Sequence, residues 1–252
     1  MQNLDISKWI RLRGLAKHGQ NLKGPFQPEM VHFHDHFTDD TLCTDKWLAT
    51  SAWASAAIAV EHATYPGGQC RITTGTADAT VEQLSTPLCW EDDQNCICEA
   101  RILSADVSGV AIFFGFSDAT AETSPAMPID YDGGVLATVS GRDAVGFICD
   151  ADDTVNGVSS IVAVGANAGT LETAIDSAVD WADADWHILR VELNPDGDAT
   201  FYLDGERIGF MTTAITSGTH MCITVAVANR EAGQNYVYID RVDGWQNEVP
   251  DA

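Results

Sequence analysis

Trp186-His187-Ile188-Leu189-Arg190-Val191-Glu192-Leu193-Asn194, then Pro195-Asp196-Gly197-Asp198, then Ala199-Thr200-Phe201-Tyr202-Leu203-Asp204-Gly205-Glu206-Arg207-Ile208-Gly209-Phe210, is the stretch that decides the fold. It reads as three strands joined by two turns. Leu189, Val191 and Leu193 alternate with Ile188, Arg190 and Glu192, so one face is apolar and the other mostly polar, as in a half-buried strand. Ala199, Phe201 and Leu203 repeat the pattern. Pro195-Asp196-Gly197 supplies the first turn. Asp204-Gly205 supplies the second, because both central residues of a type I′ hairpin need positive φ.

Working outward, the same alternation and turn chemistry predict strands over 31–37, 56–62, 69–74, 79–84, 96–104, 110–117, 144–150, 159–164, 207–212, 220–229 and 235–244. Strands this many argue a two-sheet sandwich. Residues 119–134 and 171–185 read as long loops, the second with room for one helical turn. Function gathers in such loops on a rigid scaffold.

Four further motifs carry a family likeness. His34-Asp35-His36-Phe37 with Trp47 resembles an opening "Asp-x-Phe … Trp" strand pair. Gly67-Gly68-Gln69-Cys70-Arg71-Ile72 resembles a following "Gly-Gly-x-leucine-like" strand. Val225 to Arg230 and Val237 to Val242 resemble a closing pair, and the 186–210 stretch a Trp-x-x-Leu-x-Val strand with its Phe-Tyr-Leu-Asp-Gly hairpin. Together they make the chain similar, over roughly Val31 to Gln246, to the concanavalin A-like or laminin-G-like jelly-roll superfamily. Within it, the chain resembles domains carried by tailed bacteriophages as accessory virion proteins. The resemblance implies an all-β, two-sheet antiparallel jelly-roll sandwich over 31–252. It leaves the role open, since one fold hosts lectins, glycosidases and structural modules.

Charge divides the chain. The total is −24, from 13 basic and 37 acidic residues. Residues 1–30 hold five basic and two acidic groups, +3; the remaining eight basic and 35 acidic groups give −27. So acidic a body repels nucleic acid and anionic membranes. The first 30 residues form a basic arm, part-helical around Trp9, Leu12 and Ala16 or extended, without enough apolar surface to fold alone. No apolar run is long enough to span a bilayer, and the first residues lack the apolar core of a secretory signal. Seven cysteines, at 43, 70, 89, 96, 98, 149 and 222, cannot all pair, and several sit among strand apolar residues. They read as reduced thiols of a protein made in a cytoplasm, with Cys43 and Cys89 as the pair that could oxidise.

Candidate chemistry is sparse. His32, His34 and His36 share one strand face, but span about 13 Å, so at most two reach one ion; they read as an exposed or interface face. Cys96-x-Cys98 is a weak zinc signal without a second pair. Jelly-roll glucanases place their acids on one strand as Glu-x-Asp-x-x-Glu, and this chain has no such motif. Asp150-Ala151-Asp152-Asp153 reads as a solvated turn, with a calcium-binding loop as the minor alternative. No Gly-x-Ser-x-Gly elbow or phosphate loop occurs. Most of Trp53, Trp90, Trp181, Trp186 and Trp245 read as core or sheet-edge residues, with a sugar platform as the minor alternative.

The expectation is therefore a structural virion protein without enzymatic activity, resident cofactor or metal. It decorates and stabilises the outer surface of a phage head, contacting the major capsid protein and neighbouring copies of itself on the lattice. The arm, through Lys8, Trp9, Arg11, Leu12, Arg13 and Lys17, is expected to make the contact. A lectin-like module holding glycans is the alternative, and a glycoside hydrolase the third reading.

Overall fold

The computed structural model describes residues 30–51, 55–61, 67–120 and 126–247. In chain order its strands are β1 (Met30–Asp35), β2 (Leu48–Ser51), β3 (Ala57–Glu61), β4 (Gln69–Thr73), β5 (Val81–Ser85), β6 (Trp90–Glu91) and β7 (Ile97–Ser104). There follow β8 (Val110–Ser117), β9 (Ile129–Asp132), β10 (Val135–Thr138), β11 (Ala144–Asp150), β12 (Ser160–Asn167) and β13 (Thr170–Leu171). The last are β14 (Ile175–Asp180), β15 (Trp186–Leu193), β16 (Ala199–Leu203), β17 (Glu206–Met211), β18 (His220–Asn229) and β19 (Tyr236–Asn247). Among the described residues the one helical segment is a 3-10 turn, Asp92–Gln94, and no helix is long and apolar enough to cross a membrane.

Two large antiparallel sheets form a jelly-roll sandwich. One has eight strands, in the order β17-β16-β15-β7-β19-β4-β3, with β1 also pairing β19. The other has nine, in the order β13-β12-β11-β8-β18-β5-β2, with β14 on β12 and β6 on β18. The 186–210 stretch folds as its pattern requires. Leu189, Val191 and Leu193 are buried and pair with Leu203, Phe201 and Ala199. Asp204 and Gly205 take φ of 52° and 86° in the hairpin, and Gly197 takes 76° in the turn before it.

The opening motif is an anchor. Asp35 Oδ1 accepts the Phe37 N–H at 2.8 Å, and Oδ2 accepts the Trp47 indole N–H at 2.8 Å. The Phe37 and Trp47 rings stack 5.7 Å apart in the core. Gly68, at φ +80°, lies so close to this turn that a Cβ would stand 1.9 Å from the Phe37 carbonyl oxygen. The paired glycines of the second motif answer that approach.

Two segments depart from expectation. Residues 119–134 and 171–185 are not plain loops: they contain β9 and β14, and no helical turn forms in the second. In β14, Ile175, Ser177 and Val179 turn inward and Asp176, Ala178 and Asp180 outward. The pairing with β12 is bulged between Ser160 and Val162, and Ala178 has φ +57°; polar Ser177 on the inward side and Ala178 on the outward side hide the alternation in sequence. Lys8, Trp9, Arg11, Leu12, Arg13, Lys17 and Trp53 lie outside the described residues.

Candidate functional site

A sandwich offers two outer faces, and in this one they differ. β8 and β11 are buried at every position. Their inward residues, such as Ile112, Phe114 and Phe147, join the main core. Their outward residues, Ala111, Phe113 and Ile148, join a second core beneath Met127, Ile129 and Tyr131. Strands buried on both faces read as continuous apolar runs, which is why 110–116 does. The hairpin of β9 and β10, turning at Gly133-Gly134, thus covers the outer face of the nine-stranded sheet.

One buried ion pair fastens that cover. Arg230, just after β18, donates from Nε to Asp150 Oδ1 at 2.9 Å and from Nη2 to Oδ2 at 2.7 Å. Nη2 also reaches Asp130 Oδ2 and the Tyr131 carbonyl, each at 3.3 Å. The Arg230 side chain is 7% exposed and that of Asp150 0%. Burial opposes the arginine's charge, but the hydrogen bond and charge of Asp150, then Asp130, outweigh it and hold the guanidinium above its ordinary pKa. Asp150 also accepts the N–H groups of Tyr131 and Asp152, and Asp153 those of Val155 and Asn156. The Asp150–Asp153 cluster is therefore built into the fold, and Asp150 is not the solvated turn residue expected.

The outer face of the eight-stranded sheet carries half-buried charged, polar and aromatic side chains. Cross-strand register aligns one row over five strands: Tyr202 on β16, Arg190 on β15, Glu99 on β7, Asp243 on β19 and His34 on β1. Beside it run Ile188, Arg101 and Arg241, and beyond them Trp186, Leu103, Tyr238 and Arg71. On the other side Glu192, Ile97, Trp245 and His32 align. Arg241 bridges to Glu99 at 2.6 Å, Arg101 to Asp240 at 2.8 Å, and Arg71 to Glu61. Arg101 lies over the Trp186 ring at 4.3 Å, Arg71 over Tyr236 at 5.4 Å and Arg190 over Tyr202 at 5.6 Å. Such half-exposed pairs contribute about 0–1 kcal/mol each, so they order the face more than they stabilise the fold.

The histidines belong to this face. His32 stacks on Trp245 at 5.2 Å, and His36, exposed, stands edge-on to His34 at 4.2 Å. Asp243 is the partner that sequence spacing did not reveal: His32 and His34 both hydrogen-bond its Oδ1. Burial raises its pKa, but the hydrogen bonds of the two histidines and the charges of His34 and Arg241 outweigh this and hold the carboxyl well below the usual range. Burial, then the neighbouring His34, lowers His36. Of the tryptophans, Trp90 and Trp181 are core, while Trp186 and Trp245 are on the outer face. All seven cysteines are free thiols, and Cys70, Cys96, Cys98, Cys149 and Cys222 are buried. Cys96 and Cys98 sit in the main core, where burial pushes both thiols up.

No family model and no curated protein matches the chain in sequence. Solved structures match in fold. A Bacillus licheniformis β-glucanase aligns with a TM-score of 0.57 at 14% identity, covering 86% of this chain and 98% of its own. The Emp47p carbohydrate recognition domain aligns at 0.57 and 13%, covering 86% and 95%. A protein of unknown function from Shewanella oneidensis MR-1 aligns at 0.55 and 11%, covering 100% and 98%. One expectation is overturned. The expectation of no enzymatic activity rests on the absence of a Glu-x-Asp-x-x-Glu strand, a Gly-x-Ser-x-Gly elbow and a phosphate loop, yet the scaffold is shared with β-glucanases, a lichenase from a mouse hindgut metagenome among them. A missing motif excludes one arrangement of carboxylates on one strand, whereas glycoside hydrolysis needs only two carboxyls at a suitable separation, from any strands. The exclusion does not stand. At these identities the likeness establishes the fold, a concanavalin A-like jelly-roll sandwich.

Proposed function

We propose that the chain is a structural binding module that docks on a protein assembly, in the form of a decoration protein on the outer surface of a tailed-phage head. The observation that carries this is the outer face of the eight-stranded sheet. Four of its rings have one face taken: Trp186 by Arg101, Tyr236 by Arg71, Tyr202 by Arg190 and Trp245 by His32. Trp, Tyr and Arg together are what protein interfaces select at their energetic centres. The charge division supports the same reading, because a basic arm ahead of an acidic body suits contact with neighbouring copies as well as with the major capsid protein. Affinity then comes from repeated sites on a lattice.

The test is quantitative mass spectrometry with cryo-microscopy of purified particles of the phage encoding the chain. High copy number on the head lattice is the expected result, and absence from the particle overturns it. Deleting residues 1–25 should abolish particle binding while the sandwich still melts cooperatively; unchanged occupancy sinks the role of Lys8, Trp9, Arg11, Leu12, Arg13 and Lys17.

A second reading, carbohydrate binding, is favoured by the fold shared with the Emp47p carbohydrate recognition domain. Binding on a glycan array, with or without calcium, together with a few copies at the tail tip, would select it.

A further inference from the structure

The first and last described strands bring three metal-ligating side chains together on the sheet's outer face. β1 pairs with β19 so that His34 stands opposite Asp243 and His32 opposite Trp245. Residues i and i+2 on one strand face are about 7 Å apart along the chain. Two imidazoles at that spacing cannot close a site by themselves, but a carboxylate on the neighbouring strand can stand between them. Asp243 does so. His32 Nε2 is 3.4 Å from its Oδ1, His34 Nδ1 hydrogen-bonds the same oxygen, and the donor atoms of all three lie within 4.8 Å of one another.

Those separations suit ligation. With zinc–nitrogen and zinc–oxygen bonds of about 2.0–2.2 Å, the ligand atoms of a tetrahedral site stand roughly 3.3 Å apart. The His32–Asp243 edge already has that length, and the His34 contact opens by a small rotation of the ring. The frame is held. The Asp243 side chain is 9% exposed, against 17% for His32 and 29% for His34. Trp245 fixes the plane of His32, with 8° between the rings. Arg241 Nε lies 3.8 Å from Asp243 Oδ2, which leaves Oδ1 to the imidazoles. Two imidazoles and one carboxylate select a first-row transition ion; calcium takes six to eight oxygens.

We infer that His32, His34 and Asp243 form a binding site for a divalent transition-metal ion of the zinc class, with water at the open position. The site ties the opening strand to the closing one. It does not depend on the docking partner proposed above, because the isolated chain should take up metal whether or not it is found on particles.

The test uses untagged full-length protein titrated with Co²⁺, followed by visible absorption, then with Zn²⁺ as competitor. One equivalent of Co²⁺ per chain should bind with bands of a four- or five-coordinate nitrogen and oxygen site, and Zn²⁺ should displace it. Zn²⁺ at a hundredfold its dissociation constant should raise the melting midpoint by about 5–10 °C. Even a lost supporting hydrogen bond costs a metal site about 10–100-fold in affinity, so H32Q, H34Q and D243N should each weaken binding by at least about 100-fold. H220Q, whose ring pairs with Glu91 elsewhere, should bind as the parent does. Should D243N fail to fold, H32Q and H34Q decide. No stoichiometric uptake, uptake unchanged in both histidine variants, or a sulfur-to-cobalt charge-transfer band marking thiol ligation would each overturn the site.

Discussion

Replacing Arg230 with Met should cost the protein more stability than most single changes. The side chain keeps much of its volume and loses its charge, leaving Asp150 at 0% exposure without its bidentate partner. Breaking a buried ion pair from one side costs about 3–5 kcal/mol, because the remaining charge stays desolvated. For a chain of this size each kcal/mol moves the melting midpoint by about 2–4 °C, so the drop should be about 6–20 °C. Calorimetry at pH 7 reads it directly. A parallel urea titration should show an unchanged slope, placing the loss in the folded state. Amide exchange in β9 and β10 should also quicken, since Arg230 binds the Tyr131 carbonyl and the Asp130 carboxylate there. A drop below about 2 °C would refute the reasoning, showing that the Tyr131 and Asp152 N–H groups satisfy Asp150 unaided.

Three further outcomes are expected. Asp35→Ala leaves the buried Trp47 indole N–H and the Phe37 N–H without their acceptor, at about 1–3 kcal/mol for each group, measurable by urea denaturation against the parent. At pH 8 a thiol reagent should label Cys43 quickly, Cys89 more slowly because burial of its thiol pushes it up to about 11, and all seven cysteines after unfolding; the other five are buried, with Cys149 and Cys222 both pushed up to about 12, chiefly by burial. Stability should rise on acidification from pH 7 to about pH 4.5. Burial raises the carboxyls of Asp92, Asp118, Asp130 and Asp152, and a carboxyl raised on folding contributes stability that is full below its unfolded pKa of about 3.9 and is lost as pH rises through the folded value. His36 and Asp243, both held low, act oppositely: the His36 contribution is lost as pH falls below its unfolded pKa of about 6.5, that of Asp243 only below about pH 4, so the four raised carboxyls are set against one imidazole in this window. A melting midpoint that falls steadily from pH 7 to pH 5 contradicts this balance.

What could be read from the chain, and what could not, follows from the range of the signals. The 186–210 hairpin is local: its alternation and its Asp-Gly turn lie within a few residues, and both strands formed as the pattern required. Asp35, Phe37 and Trp47 were recognisable as a motif, but the two hydrogen bonds that explain the aspartate appear only in three dimensions. β9 reads as loop because Pro128, Asp130 and Asp132 flank few apolar positions, and β10 falls between the predicted loop and the next predicted strand. The rows of the outer face were out of reach. Register joins Arg190, Glu99, Asp243 and His34 from four distant parts of the chain, and no periodicity within one strand reports it. The histidine spacing lets at most two of the three rings reach one ion, and nothing near them in sequence points to Asp243.

The nine-stranded sheet, apolar on both sides at its centre, also bears on how the chain comes off the ribosome. β8 pairs with β11 nearby, but its other neighbour, β18, arrives only once residues 220–229 have been made, when Val225 meets Phe114. Until then Val110 to Phe116 offers an uncovered, nearly chargeless edge, the kind of segment through which nascent chains adhere to one another. Contacts between distant parts of the chain also form slowly, which prolongs the exposure. The surplus of acidic residues in the body then has a use during synthesis: mutual repulsion between unfinished copies opposes their adhesion until β18 arrives.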